Sequence, residues 1–132
     1  MSDENLTMRR ALPEDVPLLF DMIGELAEYE KMQSDVTGTA QMLCDNIKSG
    51  LVHALIAEYG GLTAGFALYF FNYSTFKSKR GLYLEDLFVR PSFRKKGIGK
   101  ALFLQLADLA SASGCGRREW SCLNWNAPSI AF

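Results

Sequence analysis

The stretch EDLFVRPSFRKKGIGKALFLQLADLA, residues 85–110, carries an apolar strand pattern through a proline and a basic cluster to Gly97-Ile98-Gly99, where a helical pattern starts. Ile98, Leu102, Phe103, Leu106, Leu109 and Ala110 recur on one helical face until SGCG at 113–116 breaks it. The first turn of a helix has unpaired N–H groups and about half a positive charge, and glycines let an anion reach that backbone. Arg94, Lys95, Lys96 and Lys100 add cations at the same place. Strand, basic loop and helix therefore form a candidate phosphate cradle within an α/β fold.

Two familiar phosphate loops do not fit. A Walker A loop needs Gly-x4-Gly-Lys-Ser/Thr, but Arg94 stands at the first glycine and Ala101 follows Gly99-Lys100. A dinucleotide fingerprint needs a third glycine where Leu102 stands. Nucleic acid is not expected at RKK (94–96), because no aromatic residues interleave with the cluster and the N-terminal half is acidic.

Working outward, residues 6–12 read as a first strand, followed by an amphipathic helix from Pro13 to about Lys31. Thr37 or Thr39 caps a second helix, ended by Gly50. Residues 51–59 and 62–73 are predicted to form a hairpin about Gly60-Gly61, and 81–89 a further strand closed by Pro91. After the Gly97 helix come a strand over 118–125 and a helix from Asn126. The order β-α-α-β-β-β-α-β-α, without repeats or linkers, predicts one mixed α/β domain across residues 1–132, with a β-α-β crossover through 82–123.

Length and composition agree with a single globular domain. The start MSDENLTMRR lacks the apolar core of a signal peptide and no stretch is long enough to span a bilayer, so a cytoplasmic protein without a membrane partner is expected. Cys44, Cys115 and Cys122 have no CxxC spacing and are expected as buried or half-buried thiols. With His53 the only imidazole, no metal is expected. Net charge is −6 through Gly50 and +5 thereafter, which sums to −1. That asymmetry suits two ligands of opposite sign, or simply solvated surface.

Arg94-Lys95-Lys96-Gly97-Ile98-Gly99 fits the pattern Arg/Gln-x-x-Gly-x-Gly/Ala and resembles the coenzyme A pyrophosphate loop of the GCN5-related N-acetyltransferase (GNAT) superfamily. The element order resembles that fold along essentially the whole chain. ELAEYEKM (25–32), LYLEDLFV (82–89) and LNWNAPSIAF (123–132) look like the diamine acetyltransferases and their thialysine-acetylating relatives. The resemblance implies acetyl-CoA as cosubstrate, a small cationic amine as acceptor and a homodimer. It also implies that Leu87, Phe88 and Val89 offer backbone to the pantetheine arm, and that Arg94, Lys95, Lys96, Gly97, Ile98, Gly99 and Lys100 hold the pyrophosphate. Asn126, Ala127, Pro128 and Ser129 would line the coenzyme from the other side, while Tyr29, Glu30 and Glu85 would face the amine.

Physical reasoning fits these assignments. Two amides let pantetheine pair with a splayed strand, and Glu30, Glu85 and Asp86, helped by Glu28, would attract a cation. Glu28 and Glu30 equally fit the wet face of the first helix, and strict strand alternation would turn Asp86 away from Glu85. An amine of pKa about 10.4 must lose a proton before it attacks the thioester, at roughly 4 to 5 kcal/mol at pH 7, and Glu85 is the expected water-mediated base. The resemblance places a general-acid tyrosine directly after Phe132, where this sequence ends, so a truncated chain lacking its last strands is expected. The alternative is a coenzyme A-binding short form with impaired catalysis.

Overall fold

In a computed structural model, which describes residues 5–115 and the backbone of 117–120, five strands lie in chain order: β1 (Leu6–Arg10), β2 (His53–Tyr59), β3 (Leu62–Ser74), β4 (Lys79–Val89) and β5 (Arg117–Trp120). The first four are antiparallel, whereas β5 runs parallel to β4, with Gly81 opposite Arg117 and Leu84 opposite Trp120. A parallel pair needs a crossover, which α3 (Ile98–Ala112) supplies. Gly60 and Gly61, at φ 60° and 81°, make the two-residue turn expected between β2 and β3, since a primed hairpin turn requires left-handed backbone at both positions. The helix expected from Asn126 and the second half of the 118–125 strand lie outside the described residues.

Helix α1 (Val16–Tyr29) starts later than its pattern predicts. Pro17 has no N–H to send to the Pro13 carbonyl, so the Val16 N–H takes that acceptor and Pro13–Asp15 winds as a tight 3-10 turn. The helix also stops early, at a left-handed Lys31 (φ 58°). There the Met32 N–H donates to Ala27 O at 2.8 Å and the Lys31 N–H to Glu28 O at 3.1 Å, closing a Schellman turn. Helix α2 (Ala40–Lys48) is capped by Thr39, not Thr37, whose Oγ1 accepts from the Met42 N–H at 3.1 Å.

The sheet has a core on each face. Leu82, Leu84, Leu87 and Val89 of β4 join Leu102 and Leu106 of α3 on one side. Phe66, Leu68 and Phe88 join Leu19, Met22 and Leu26 of α1 on the other. The two sets in β4 reveal a change of phase: even positions face α3 up to Leu84, odd positions from Leu87. Leu68 pairs with Asp86 and Tyr69 with Leu84, leaving Glu85 as the extra residue of a β-bulge.

Candidate active site

The bulge places two consecutive carboxylates on one face. Tyr83 stacks on Phe70 at 5.0 Å between centroids and Phe88 belongs to the α1-side core, so the side chains on either flank of the bulge face α1. Glu85 continues the first phase and Asp86 opens the second, and both line a cavity of about 280 Å³ between β4 and α1. The Schellman turn brings Glu30 to its rim, and the 3-10 turn Gln33–Asp35 adds Asp35. Ile23, Leu26 and Val36 form the apolar wall.

Two of the four acids in this partly apolar hollow, Asp86 and Glu30, are harder to ionise than usual. Burial, then the charges of Glu85 and Glu30, push Asp86 from its ordinary 3.8 up to about 7. Burial also raises Glu30, whose Oε1 is enclosed without a hydrogen-bond partner. A cation with several N–H donors, next to a short aliphatic stretch, complements this hollow in charge and in polarity.

The second half of the site lies at the α3 mouth. Gly97 is the N-cap at φ 77°, Lys95 is also left-handed at φ 66°, and no side chain caps the helix. Nothing stands within 4 Å of where a Gly97 Cβ would be, so the N-cap position itself is open, and the first-turn N–H groups of α3 have no partner within the helix. Lys95, Lys96 and Lys100 are exposed around them. Arg94 turns inward: its Nε donates to Val89 O at 2.9 Å and its guanidinium lies 4.5 Å from the Tyr29 ring centre. Its Nη2 is buried and unpartnered. A glycine-rich helix mouth ringed by three lysines suits a diphosphate in charge. On β4 the described parallel pairing stops at Leu84, one residue before the bulge, while Leu87, Phe88 and Val89 continue the strand.

Residues 20–132 match the Acetyltransferase (GNAT) family. The chain belongs to that family. Acetyltransferases of the GNAT family take acetyl-CoA as acyl donor. Over 129 residues, 98% of this chain and 80% of the relative, the GNAT domain is 41% identical to a thialysine N-epsilon-acetyltransferase of Caenorhabditis elegans. It is 35% identical to the Bos taurus protein of the same description, with 90% and 75% covered. Among solved structures, an aminoglycoside acetyltransferase from an uncultured soil metagenomic sample superposes with TM-score 0.80 at 18% identity, covering 91% of this chain and 79% of that one, which supports the GNAT fold.

In this GNAT domain, Glu30 and Glu85 both line the acidic cavity. Asp86 faces the same way, contrary to strict alternation, because the bulge intervenes. Glu28 is an exposed residue of α1 and is not part of the cavity wall. Tyr29 is not in that wall either; it underlies Arg94 and joins the end of α1 to the basic loop. Asp35 went unread in the sequence, since its approach depends on the turn at Lys31. Asn126, Ala127, Pro128, Ser129 and Cys122 lie outside the described residues, while Cys44 and Cys115 are half-buried free thiols as expected. Among the described residues, no helix is long and apolar enough to cross a membrane.

Proposed function

We propose that the chain transfers the acetyl group of acetyl-CoA to a primary amine of a small cationic substrate: a thialysine-like amino acid, a diamine or a polyamine. The acidic cavity beside the β4 bulge carries this reading, supported by the thialysine N-epsilon-acetyltransferase names of two relatives. Acetyl-CoA supplies an activated acyl thioester. Leu87, Phe88 and Val89 pair with the pantetheine arm, and the 94–100 loop receives the pyrophosphate, with Asn126, Ala127, Pro128 and Ser129 on its far side. Tyr29 sets the entry to the amine side through its contact with Arg94. Cytoplasmic location and a homodimer belong to the same proposal.

Glu30, Asp35, Glu85 and Asp86 bind the ammonium, and one of them must then remove a proton. Moving it from an amine of pKa about 10.4 to an ordinary carboxylate costs roughly 9 kcal/mol, but to Asp86 at about 7 only roughly 5 kcal/mol. Glu85 holds the amine and relays the proton through water, and Asp86 is the acceptor whose environment makes the transfer affordable. Neutral amine then attacks the thioester directly, with β4 backbone N–H groups polarising the carbonyl; the C–S bond breaks, the acetyl group stays on nitrogen, and coenzyme A leaves as a thiolate that takes up the proton the new amide nitrogen loses.

The test is thiol release from acetyl-CoA with thialysine, spermidine and putrescine. Turnover of at least one, lowered by orders of magnitude in kcat by Asp86→Asn, is the expected result. Absence of turnover with every small amine overturns the proposal.

A further inference from the structure

On the far side of β2 from the β4 bulge, the end of β1, the end of α2 and the start of β2 border a second, solvent-open pocket of about 300 Å³. Its polar lining is Arg10, Lys48 and His53, and no carboxylate lines it. The contrast with Arg9 is direct. Arg9 is paired with Asp15 at 2.8 Å and reaches Glu58 at 3.7 Å, whereas Arg10 makes no ion pair among the described residues. Arg10 Nη2 instead approaches His53 Nδ1. A guanidinium only donates, so Nδ1 is the unprotonated nitrogen and His53 serves as a neutral acceptor.

The imidazole is fixed in place. It stacks on Tyr69 at 5.5 Å and meets the edge of Phe71 at 5.5 Å, while Arg80 covers the Phe71 ring at 4.7 Å. Burial, then Arg10 and Arg80, lower the His53 pKa, so the ring adds no charge of its own. Arg10 and Lys48 thus flank an open pocket with no opposing charge in its wall, and Ala11, Leu12, Pro13 and Ile47 make the rest of that wall apolar. A planar anion on a short hydrocarbon chain would satisfy both kinds of surface, because a guanidinium fork matches a carboxylate and the apolar wall suits methylene groups.

We propose that this cavity is a binding site for a small aliphatic carboxylate, held by Arg10 and Lys48. It is separate from the acetyl-transfer site and does not depend on that reading.

The sequence contains one histidine, so the His53 ring gives a single reporter inside the cavity. Ring carbon–proton spectra of the whole chain would be followed as sodium propionate is added, with sodium chloride and inorganic phosphate as arms at matched ionic strength. Propionate should move the His53 signal saturably, and chloride should not. Arg10→Gln should weaken that response about tenfold or more, as expected for losing a charged hydrogen bond. Lys48→Gln, on an exposed position at the end of α2, should weaken it several-fold and keeps the test decisive if the first variant folds poorly. No saturable shift with propionate, an equal response to chloride, an equal or stronger response to phosphate, or an unchanged response in Lys48→Gln would each overturn the proposal.

Discussion

Glu85 and Asp86 are neighbours in one strand yet face the same cavity, because Leu68 and Tyr69 pair with Asp86 and Leu84 and make Glu85 the extra residue of the bulge. Regular pleating would separate the two carboxylates onto opposite faces. Their convergence is electrostatically unfavourable, and the upward shift of Asp86 expresses first its burial and then this repulsion. A site that holds repelling acids in a partly apolar hollow gives up stability for affinity toward a cation.

That repulsion should be visible in folding. Asp86 binds its proton more tightly in the folded chain than in the unfolded one, so its contribution is fully present below its ordinary 3.8 and is lost as pH rises to about 7. Asp86→Asn should remove this loss, gaining up to about 4 kcal/mol relative to the parent near neutral pH and little near pH 4. Urea unfolding of both proteins across that range measures the difference. A constant gap at all pH values would contradict the assignment.

The same group sets an expectation for rate. If ionised Asp86 accepts the amine's proton, kcat/KM should rise through an apparent pKa near 7 in the free enzyme. Asp86→Asn should lose that limb while retaining the steeper dependence on the amine's own ionisation. The pH–rate profile with thialysine, compared between the two proteins, decides it.

Gly65 lies opposite Val89, where β3 approaches the proposed coenzyme strand. A Cβ there would collide with the Phe88 carbonyl oxygen and come within 3.0 Å of Val89 Cα, both backbone atoms that no rotamer change can move. Gly65→Ala should therefore destabilise the domain by about 1–3 kcal/mol, as overpacking does. It should also weaken coenzyme A binding by displacing 88–89. Thermal unfolding and calorimetric titration report the two effects separately.

Gly97 tests the helix mouth differently, since its surroundings are open and only its backbone is demanding. Gly97→Ala should cost about 1–2 kcal/mol through the left-handed conformation alone. Gly97→Glu adds a carboxylate beside the unpaired amides and should weaken coenzyme A binding about tenfold or more beyond the alanine variant. Equal affinity in both variants would remove the loop from the binding site.

The succession of elements through α3, the Gly60-Gly61 turn and the start of α3 were legible because each depends on local chemistry. Pro17 was visible in the sequence, but its missing N–H matters only once the Pro13 carbonyl is known to need a donor. The bulge also left a signal. Leu82, Leu84, Leu87 and Val89 are spaced two, three, two, and the irregular step marks where the pleat changes phase. The inward turn of Arg94 and the approach of Asp35 left none, because both depend on where the end of α1 lands in space.

The phase change in β4 has a consequence for how the strand can vary. Each hydrophobic layer reads β4 in its own frame, and the frames change over at Glu85 and Asp86, neither of which fills a core. Substitutions at these two positions can retune the cavity's charge and reach without a compensating change in packing. The shape and charge of the cavity are thereby separated, within a single strand, from the job of holding the sheet together.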